Sequence, residues 1–183
     1  MRNIPNCITV FRVFLVFVFA FLFSSDMENK SFYCVVTYAL AGASDVLDGF
    51  LARKFNLVSN FGKLMDPLAD KLMQITVAIC ISTIEHSLIW VPIFLILKEF
   101  AMILGAAKLL KKDNIVVQAN IFGKLASVIY FLVFLVLLIF GNINPMLKQV
   151  LCISFVLVSI FAFVNYINSY MEMHKKQRSS EAE

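Results

Sequence analysis

Residues 123–141 read GKLASVIYFLVFLVLLIFG, and this run shows the character of the whole chain. Its one charged residue, Lys124, is near the start, and nearly every later position is apolar. A helix that crosses a bilayer needs about 20 consecutive apolar residues. The run therefore predicts a transmembrane helix.

Five further apolar segments have similar lengths, at about 7–23, 33–53, 64–84, 88–110 and 147–170. The breaks between segments carry turn-forming residues, such as Gly141-Asn142 before Asn144-Pro145. Because lipid offers the backbone no hydrogen-bond partners, each segment is expected to be helical. The sequence predicts an all-α integral membrane protein with six transmembrane helices.

The composition supports a membrane protein and excludes several other classes. Of the 183 residues, 61% are hydrophobic and 15% are charged, whereas soluble domains have about 45–50% apolar and about 25% charged residues. A soluble globule, a disordered chain and a disulfide-stapled module are excluded, and no nucleic-acid partner is expected. The cysteines lie far apart without CxxC spacing and are expected to be buried free thiols: Cys7, Cys34, Cys80 and Cys152.

The basic residues at the segment ends predict how the chain lies in the membrane. Eleven of them would fall on one side, and only Lys30 and Lys148 on the other. Positively charged loops stay in the cytoplasm, so both termini are predicted to be cytoplasmic. The membrane in question is predicted to be the plasma membrane. Residues 1–174 are predicted to form one membrane domain, and residues 175–183 a polar, disordered cytoplasmic tail.

Four carboxylates lie inside the second and third segments, and we call them the acidic cluster. Asp45 and Asp48 are three residues apart and share a helix face. Asp66 and Asp70 are four apart and share a face of the next helix, which a short connection makes an antiparallel neighbour. A charge at the bilayer centre costs at least about 2.5–3.5 kcal/mol on insertion scales, which marks such residues as functional candidates. The acidic cluster is predicted to line a cavity open to the cytoplasm.

Carboxylates gathered in this way repel one another unless they are protonated or hold cations. Their oxygen atoms suit Mg²⁺ or Mn²⁺, and zinc is disfavoured because no His or thiolate is nearby. Two ions bridged by the carboxylates would clamp a pyrophosphate. Beside them, Gly49 and Ala52 offer small surfaces to a bulky ligand, and Arg53 can pair with a phosphate.

The spacing Asp-x2-Asp-Gly-x2-Ala-Arg-x8-Gly-x3-Asp-x3-Asp resembles the signature of the CDP-alcohol phosphotransferases. All eight fixed positions are present: Asp45, Asp48, Gly49, Ala52, Arg53, Gly62, Asp66 and Asp70. The resemblance implies a membrane-embedded, metal-dependent enzyme, typically a homodimer. Such an enzyme moves a CDP-linked phosphatidyl group onto an alcohol and releases CMP.

The resemblance also implies roles for individual residues. Asp45, Asp48 and Asp66 would hold two divalent ions. Asp70 would be the general base that deprotonates the acceptor hydroxyl, and it is also counted among the metal ligands. The CDP part of the donor would contact Gly49, Ala52 and Arg53, and Gly62 is also expected to bind substrate.

The N-terminus resembles one branch of that family. Residues 3–9 (Asn-Ile-Pro-Asn-Cys-Ile-Thr), followed by Arg12, resemble the opening of bacterial phosphatidylglycerophosphate synthases, which join CDP-diacylglycerol to glycerol 3-phosphate. Asn6 and Thr9 are accordingly predicted to lie near the cytidine. The alternative is an interfacial turn in which Asn6 or Thr9 caps the first helix.

A phosphorylated acceptor calls for cations, and the predicted ones are Lys98, Lys108 and Lys124. Lys98 and Lys108 stand where these synthases usually carry arginine, and lysine and arginine bind phosphate differently. Phosphatidylglycerol, inositol phosphate and serine therefore stay open as acceptors. For Lys98 the alternative is an intramembrane pair with a carboxylate.

Two other classes of protein are weighed against the enzyme. A divalent-cation transporter also carries buried carboxylates, but here the acids cluster towards one side and inverted repeats are missing. A non-catalytic scaffold would not need a base, and Asp70 is intact. The sequence therefore favours the transferase.

Overall fold

The structure is a computed structural model that describes the backbone of residues 4–55, 60–113 and 121–180, and the side chains within 8–48, 65–104 and 125–168. These ranges contain no strand, and a 3-10 turn at His86–Leu88 precedes the fourth helix. Their six α-helices, in chain order, are α1 (Ile4–Ser24), α2 (Lys30–Phe55), α3 (Asn60–Ile84), α4 (Trp90–Asp113), α5 (Ile121–Ile139) and α6 (Pro145–Ser180). The all-helical prediction is confirmed, and each predicted segment corresponds to one helix.

The end of α6 differs from the prediction. The helix runs on to Ser180, so the expectation of a disordered tail from residue 175 was wrong for residues 175–180. Lysine, glutamine and arginine are good helix formers, and their polarity does not oppose a helix that continues beyond its apolar part. Residues 181–183 lie outside the described ranges.

Three helical stretches of the described chain are long and apolar enough to cross a membrane: Met65–Ile84, His86–Leu104 and Pro145–Asn168. Two shorter apolar stretches, Ile8–Ser24 and Leu125–Ile139, belong to α1 and α5. The acidic pair of α2 lowers the hydropathy of that helix. Membrane-length helices are therefore present, while the count of six spans and the cytoplasmic position of both termini stay predictions.

The helices expose large apolar side chains, as lipid-facing helices do. On α1, Phe14, Phe17 and Phe21 are exposed at spacings of three and four residues, along one face. A soluble protein would not leave such a continuous apolar surface in water. The opposite face of α1 is buried, and it carries polar residues near its start and apolar ones further on: Thr9, Arg12, Val16 and Phe19.

Hydroxyl groups inside the helices donate hydrogen bonds to backbone carbonyls of their own helix. Thr37 Oγ1 donates to the Tyr33 carbonyl at 2.8 Å, and Ser82 Oγ donates to the Ile79 carbonyl at 2.7 Å. Bonds of this kind use no water, so these side chains are compatible with a lipid environment.

The chain divides into two units, residues 1–92 with 134–143 and residues 93–133 with 144–183. In the first, α1 packs against α2 and α3, and the rings of Phe19 and Tyr38 lie 6.4 Å apart. In the second, the rings of Tyr130 on α5 and Phe155 on α6 meet edge to face at 5.1 Å. The prediction of one domain over residues 1–174 stays a prediction.

The cysteines agree with the sequence analysis as far as their side chains are described. Cys34 and Cys152 are buried free thiols, and Cys80 is a free thiol that is half-buried. The side chain of Cys7 lies outside the described residues.

Candidate active site

Three helices of the first unit bring the candidate site together. Thr9 and Arg12 lie three residues apart on α1, so both point from the buried face of that helix. This face packs against α2, which carries Asp45 and Asp48, and against α3, which carries Asp66. A polar patch near the start of α1 therefore meets the acidic cluster.

The guanidinium of Arg12 contacts three members of the acidic cluster. Its Nη1 donates to Asp45 Oδ1, and its Nη2 lies 3.3 Å from Asp66 Oδ1 and 3.9 Å from Asp48 Oδ2. The side chain is only 4% exposed. Charge-assisted contacts of a planar, forked guanidinium are strong and orient their partners. Arg12 thus links Asp45 and Asp48 of α2 to Asp66 of α3.

The acids that Arg12 contacts differ in exposure. The side chain of Asp45 is 52% exposed, whereas that of Asp48 is 4% exposed. Asp48 also experiences the charges of Asp66 and Asp45. Its Oδ1 and the Nε of Arg12 are buried without a hydrogen-bond partner among the described atoms. Buried polar atoms are almost always satisfied, so these two indicate a site that accepts something more.

Thr9 binds the third acid. It is fully buried, and its Oγ1 donates to Asp66 Oδ1. This contact fixes the Asp66 carboxylate from α1, in addition to the contact with Arg12. The predicted position of Thr9 near the cytidine stays a prediction.

Asp70 lies one helical turn beyond Asp66 and has a different set of partners. Gln74 Nε2 donates to its Oδ2 at 2.9 Å, and Lys71 Nζ lies 3.8 Å from the same oxygen. Pro67 stands between the two acids of α3 and cannot donate a backbone hydrogen bond there. The fourth carboxylate is thus held by its own helix, while the other three are held across helices.

The donor atoms of the site suit a divalent cation, but the present distances between these side chains do not. Among the described residues, no three His, Cys, Asp or Glu side chains lie close enough to hold a metal ion as they are placed. The available donors are carboxylate oxygens, which Mg²⁺ and Mn²⁺ prefer, and Asp48 offers an unused one. The donor set therefore fits such an ion, and the guanidinium of Arg12 is the cation that contacts these acids in this structure.

Several predicted site residues lie on helices, but their side chains are outside the described part of the chain. They are Asn6 on α1, Gly49, Ala52 and Arg53 on α2, Gly62 on α3, Lys108 on α4 and Lys124 on α5. Their predicted contacts with the substrates stay predictions.

Lys98 belongs to the second unit and pairs with a carboxylate. Its Nζ lies 2.9 Å from Glu99 Oε1, and the two side chains are 14% and 17% exposed. Lys98 also lines a groove of about 240 Å³ whose other walls are Phe94, Leu97, Ala101, Ser159, Ile160 and Phe163. The pair matches the alternative that the sequence left open for this lysine, and its binding of an acceptor phosphate stays a prediction.

Three residues of the site region were missed as site residues by the sequence analysis. In the sequence, Arg12 stands out only as part of the N-terminal motif. Gln74 and the buried Tyr38, which experiences the charge of Asp70, were not noted. The spacing held a signal for two of them, because Arg12 is three residues from Thr9 and Gln74 is four from Asp70.

The fold and the acidic cluster together define a helical membrane protein with a charge-rich, partly buried site of carboxylates. The sequence profile of the CDP-alcohol phosphatidyltransferase family matches residues 2–165. The chain therefore belongs to this family, and the resemblance found in the signature residues is confirmed.

Curated relatives from three bacteria carry the name CDP-diacylglycerol–glycerol-3-phosphate 3-phosphatidyltransferase. The protein of Wigglesworthia glossinidia brevipalpis is 42% identical over 91 residues, 50% of either chain. That of Bacillus subtilis is 33% identical over 139 residues, 69% of this chain and 72% of the relative. That of Rickettsia typhi is 29% identical over 170 residues, 93% of this chain and 94% of the relative. The match thus spans half of the first relative and most of the other two.

Proposed function

We propose that this protein transfers the phosphatidyl group of CDP-diacylglycerol to glycerol 3-phosphate, giving phosphatidylglycerophosphate and CMP. The observation that carries the proposal is the family match over residues 2–165, joined by relatives that all bear the name of this reaction. The complete acidic signature supports it from within the chain.

The reaction exchanges the phosphoanhydride bond of the donor for a phosphoester bond to the acceptor. The acceptor hydroxyl oxygen forms a bond to the phosphatidyl phosphorus, and the bond from that phosphorus to the CMP phosphate oxygen breaks. Charge neutralisation and positioning dominate such a transfer. The attacking hydroxyl must also lose its proton to a base within hydrogen-bond reach.

We assign Asp70 as the base that accepts this proton. Its Gln74 and Lys71 contacts both fall on Oδ2, so the proton is assigned to Oδ1. The side chain is partly exposed, as a base that meets a water-soluble acceptor requires. Its contacts with Gln74 and Lys71 differ from those of the carboxylates that Arg12 contacts, which suits a distinct role.

The remaining carboxylates are proposed to hold the metal ions. Asp45, Asp48, Asp66 and Asp70 would hold two Mg²⁺ or Mn²⁺ ions, whose charge would stabilise the pyrophosphate of the donor and the leaving CMP. The hard oxygen donors and the unused Oδ1 of Asp48 support this assignment.

The setting of the reaction belongs to the same proposal. The acyl chains of the donor stay in the bilayer, while the acidic site faces the cytoplasm, where the soluble acceptor is found. The enzyme is proposed to act in the plasma membrane as a homodimer.

The test is a purified-enzyme assay with CDP-diacylglycerol and Mg²⁺ in mixed micelles, measuring CMP release. Acceptors are supplied one at a time: glycerol 3-phosphate, phosphatidylglycerol, inositol phosphate, inositol and serine. CMP release with glycerol 3-phosphate alone is the expected result. Release only with another acceptor would contradict the assigned acceptor, and release with none would contradict the transferase itself.

A further inference from the structure

We propose that Arg12 is the internal counter-cation of the acidic cluster and that divalent ions bind there in competition with its guanidinium. The inference rests on the proposed metal dependence of the transferase. It concerns how this chain holds its carboxylates before an ion arrives, and it makes Arg12 a positioning residue that sets the ion concentration the protein requires.

The contacts of Arg12 fall on the carboxylate oxygens themselves. Asp45 Oδ1 accepts from Nη1, and Nη2 lies 3.3 Å from Asp66 Oδ1 and 3.9 Å from Asp48 Oδ2. A Mg²⁺ ion needs its oxygen ligands at about 2.0–2.1 Å in near-octahedral geometry. A guanidinium and an ion cannot approach the same oxygens from the same side, so one has to withdraw for the other to bind.

The charges lead to the same conclusion. Three carboxylates and one guanidinium leave an excess of negative charge, and at the buried Asp48 this excess is unfavourable. Two divalent ions would balance the four carboxylates of the acidic cluster without any help from Arg12. With both ions and Arg12 on the same oxygens, positive charge would be in excess, so full metal loading favours a displaced guanidinium.

Two buried atoms show that Arg12 does not saturate the site. Its own Nε and Asp48 Oδ1 have no hydrogen-bond partner among the described residues. Both side chains are only 4% exposed, so water does not freely supply the missing hydrogen bonds. An incomplete set of bonds lowers the cost of replacing the guanidinium, and Asp48 keeps an oxygen ready for the incoming ion.

The experiment compares Mn²⁺ binding and thermal unfolding of the purified full-length protein with and without Mn²⁺. Bound Mn²⁺ is measured by the loss of the free-ion signal in electron paramagnetic resonance. Arg12→Gln should lower the half-saturating Mn²⁺ concentration roughly tenfold, since the charge-assisted bonds that compete with the ion are gone. Its metal-free melting temperature should fall, and the rise that Mn²⁺ produces should be larger than in the wild type.

Lys30→Gln is the matched control, because it removes one positive charge from the same unit without touching the acidic cluster. It should bind Mn²⁺ as the wild type does. Arg12→Lys keeps the charge but loses the fork, so its half-saturating concentration should lie between those of the wild type and Arg12→Gln. If Arg12→Gln does not fold, Arg12→Lys decides the question by the same measurement.

An unchanged or increased half-saturating concentration in the arginine variants would overturn the inference, because Arg12 would then assist the ion instead of competing with it. That result would leave the metal-dependent transferase untouched. A wild-type protein that binds no Mn²⁺ would overturn the metal assignment and this inference together. The two failures are thus distinguishable in one titration.

Discussion

Buried charges occur in both units of the molecule, and they are arranged in opposite ways. In the first unit one guanidinium contacts three carboxylates, one of which retains an unpartnered buried oxygen. In the second unit Lys98 Nζ lies 2.9 Å from Glu99 Oε1, and Lys98 also lines an apolar groove. An excess of one charge favours a ligand of the opposite charge more than a pair of equal and opposite charges does. The comparison indicates that an imbalance of charge, more than burial, marks the reactive site.

The largest expected effect comes from Asp70, the carboxylate of the first unit that Gln74 and Lys71 contact. Asp70→Asn should lower turnover by about 10²–10⁴-fold, because general base catalysis contributes that much. Mn²⁺ and CDP-diacylglycerol should still bind with modest loss. CMP release and Mn²⁺ titration measure the two properties.

Asp26→Asn is the matched control for this variant, since Asp26 is exposed in the connection between α1 and α2. It should retain full turnover. Retained turnover in Asp70→Asn would remove Asp70 from the role of base.

The balanced pair of the second unit is broken by Glu99→Gln. Removing one partner leaves a buried ammonium without its carboxylate, and the protein should lose about 3–5 kcal/mol of stability. The double variant Lys98→Met/Glu99→Leu should recover most of that loss, because apolar residues of similar volume often replace a buried pair without a penalty. Thermal unfolding in micelles measures both.

The same variants separate the two interpretations of Lys98. A structural pair predicts that the double variant keeps its KM for glycerol 3-phosphate. A strongly raised KM at unchanged Mg²⁺ dependence would instead show that Lys98 binds the acceptor phosphate.

The sequence predicted most of the fold because membrane helices obey a simple rule. Long apolar runs must be helical in lipid, and every predicted run corresponds to a helix. Arg12 contacts both Asp45 and Asp48, as their spacing of three residues on α2 allows. The end of α6 was predicted wrongly because polarity was taken as a sign of disorder.

The contacts between helices were harder to predict. A helix that is apolar almost all round does not show which face meets its neighbours, so the pairing of Arg12 with the acidic cluster could not be derived. Adjacent residues of a helix do not normally face each other. The contact between Lys98 and Glu99 depends on two long side chains that bend towards each other, which spacing alone does not predict.

A smaller effect is expected at the exposed edge of the first unit. Asp45 is half exposed and bound by Arg12, so Asp45→Asn should weaken divalent-ion binding without preventing folding. The Mg²⁺ concentration for half-maximal CMP release should rise roughly tenfold, as loss of one charged ligand implies. An unchanged Mg²⁺ titration would remove Asp45 from the ligand set, with Asp26→Asn again as the control.

The smallest effect should come from Gln74, which contacts Asp70. Its amide donates to Asp70 Oδ2 at 2.9 Å from a buried position, and a hydrogen bond to a charged group contributes about 1.5–3 kcal/mol when fully formed. Asp70 is partly exposed, so water replaces part of the bond, and Gln74→Leu should lower kcat only several-fold. Because Gln74 acts through Asp70, the KM for glycerol 3-phosphate and the Mg²⁺ titration should stay unchanged, as both should in the control Gln149→Leu. A shift in the Mg²⁺ titration would contradict this prediction, because Gln74 would then act on ion binding and not on the base alone.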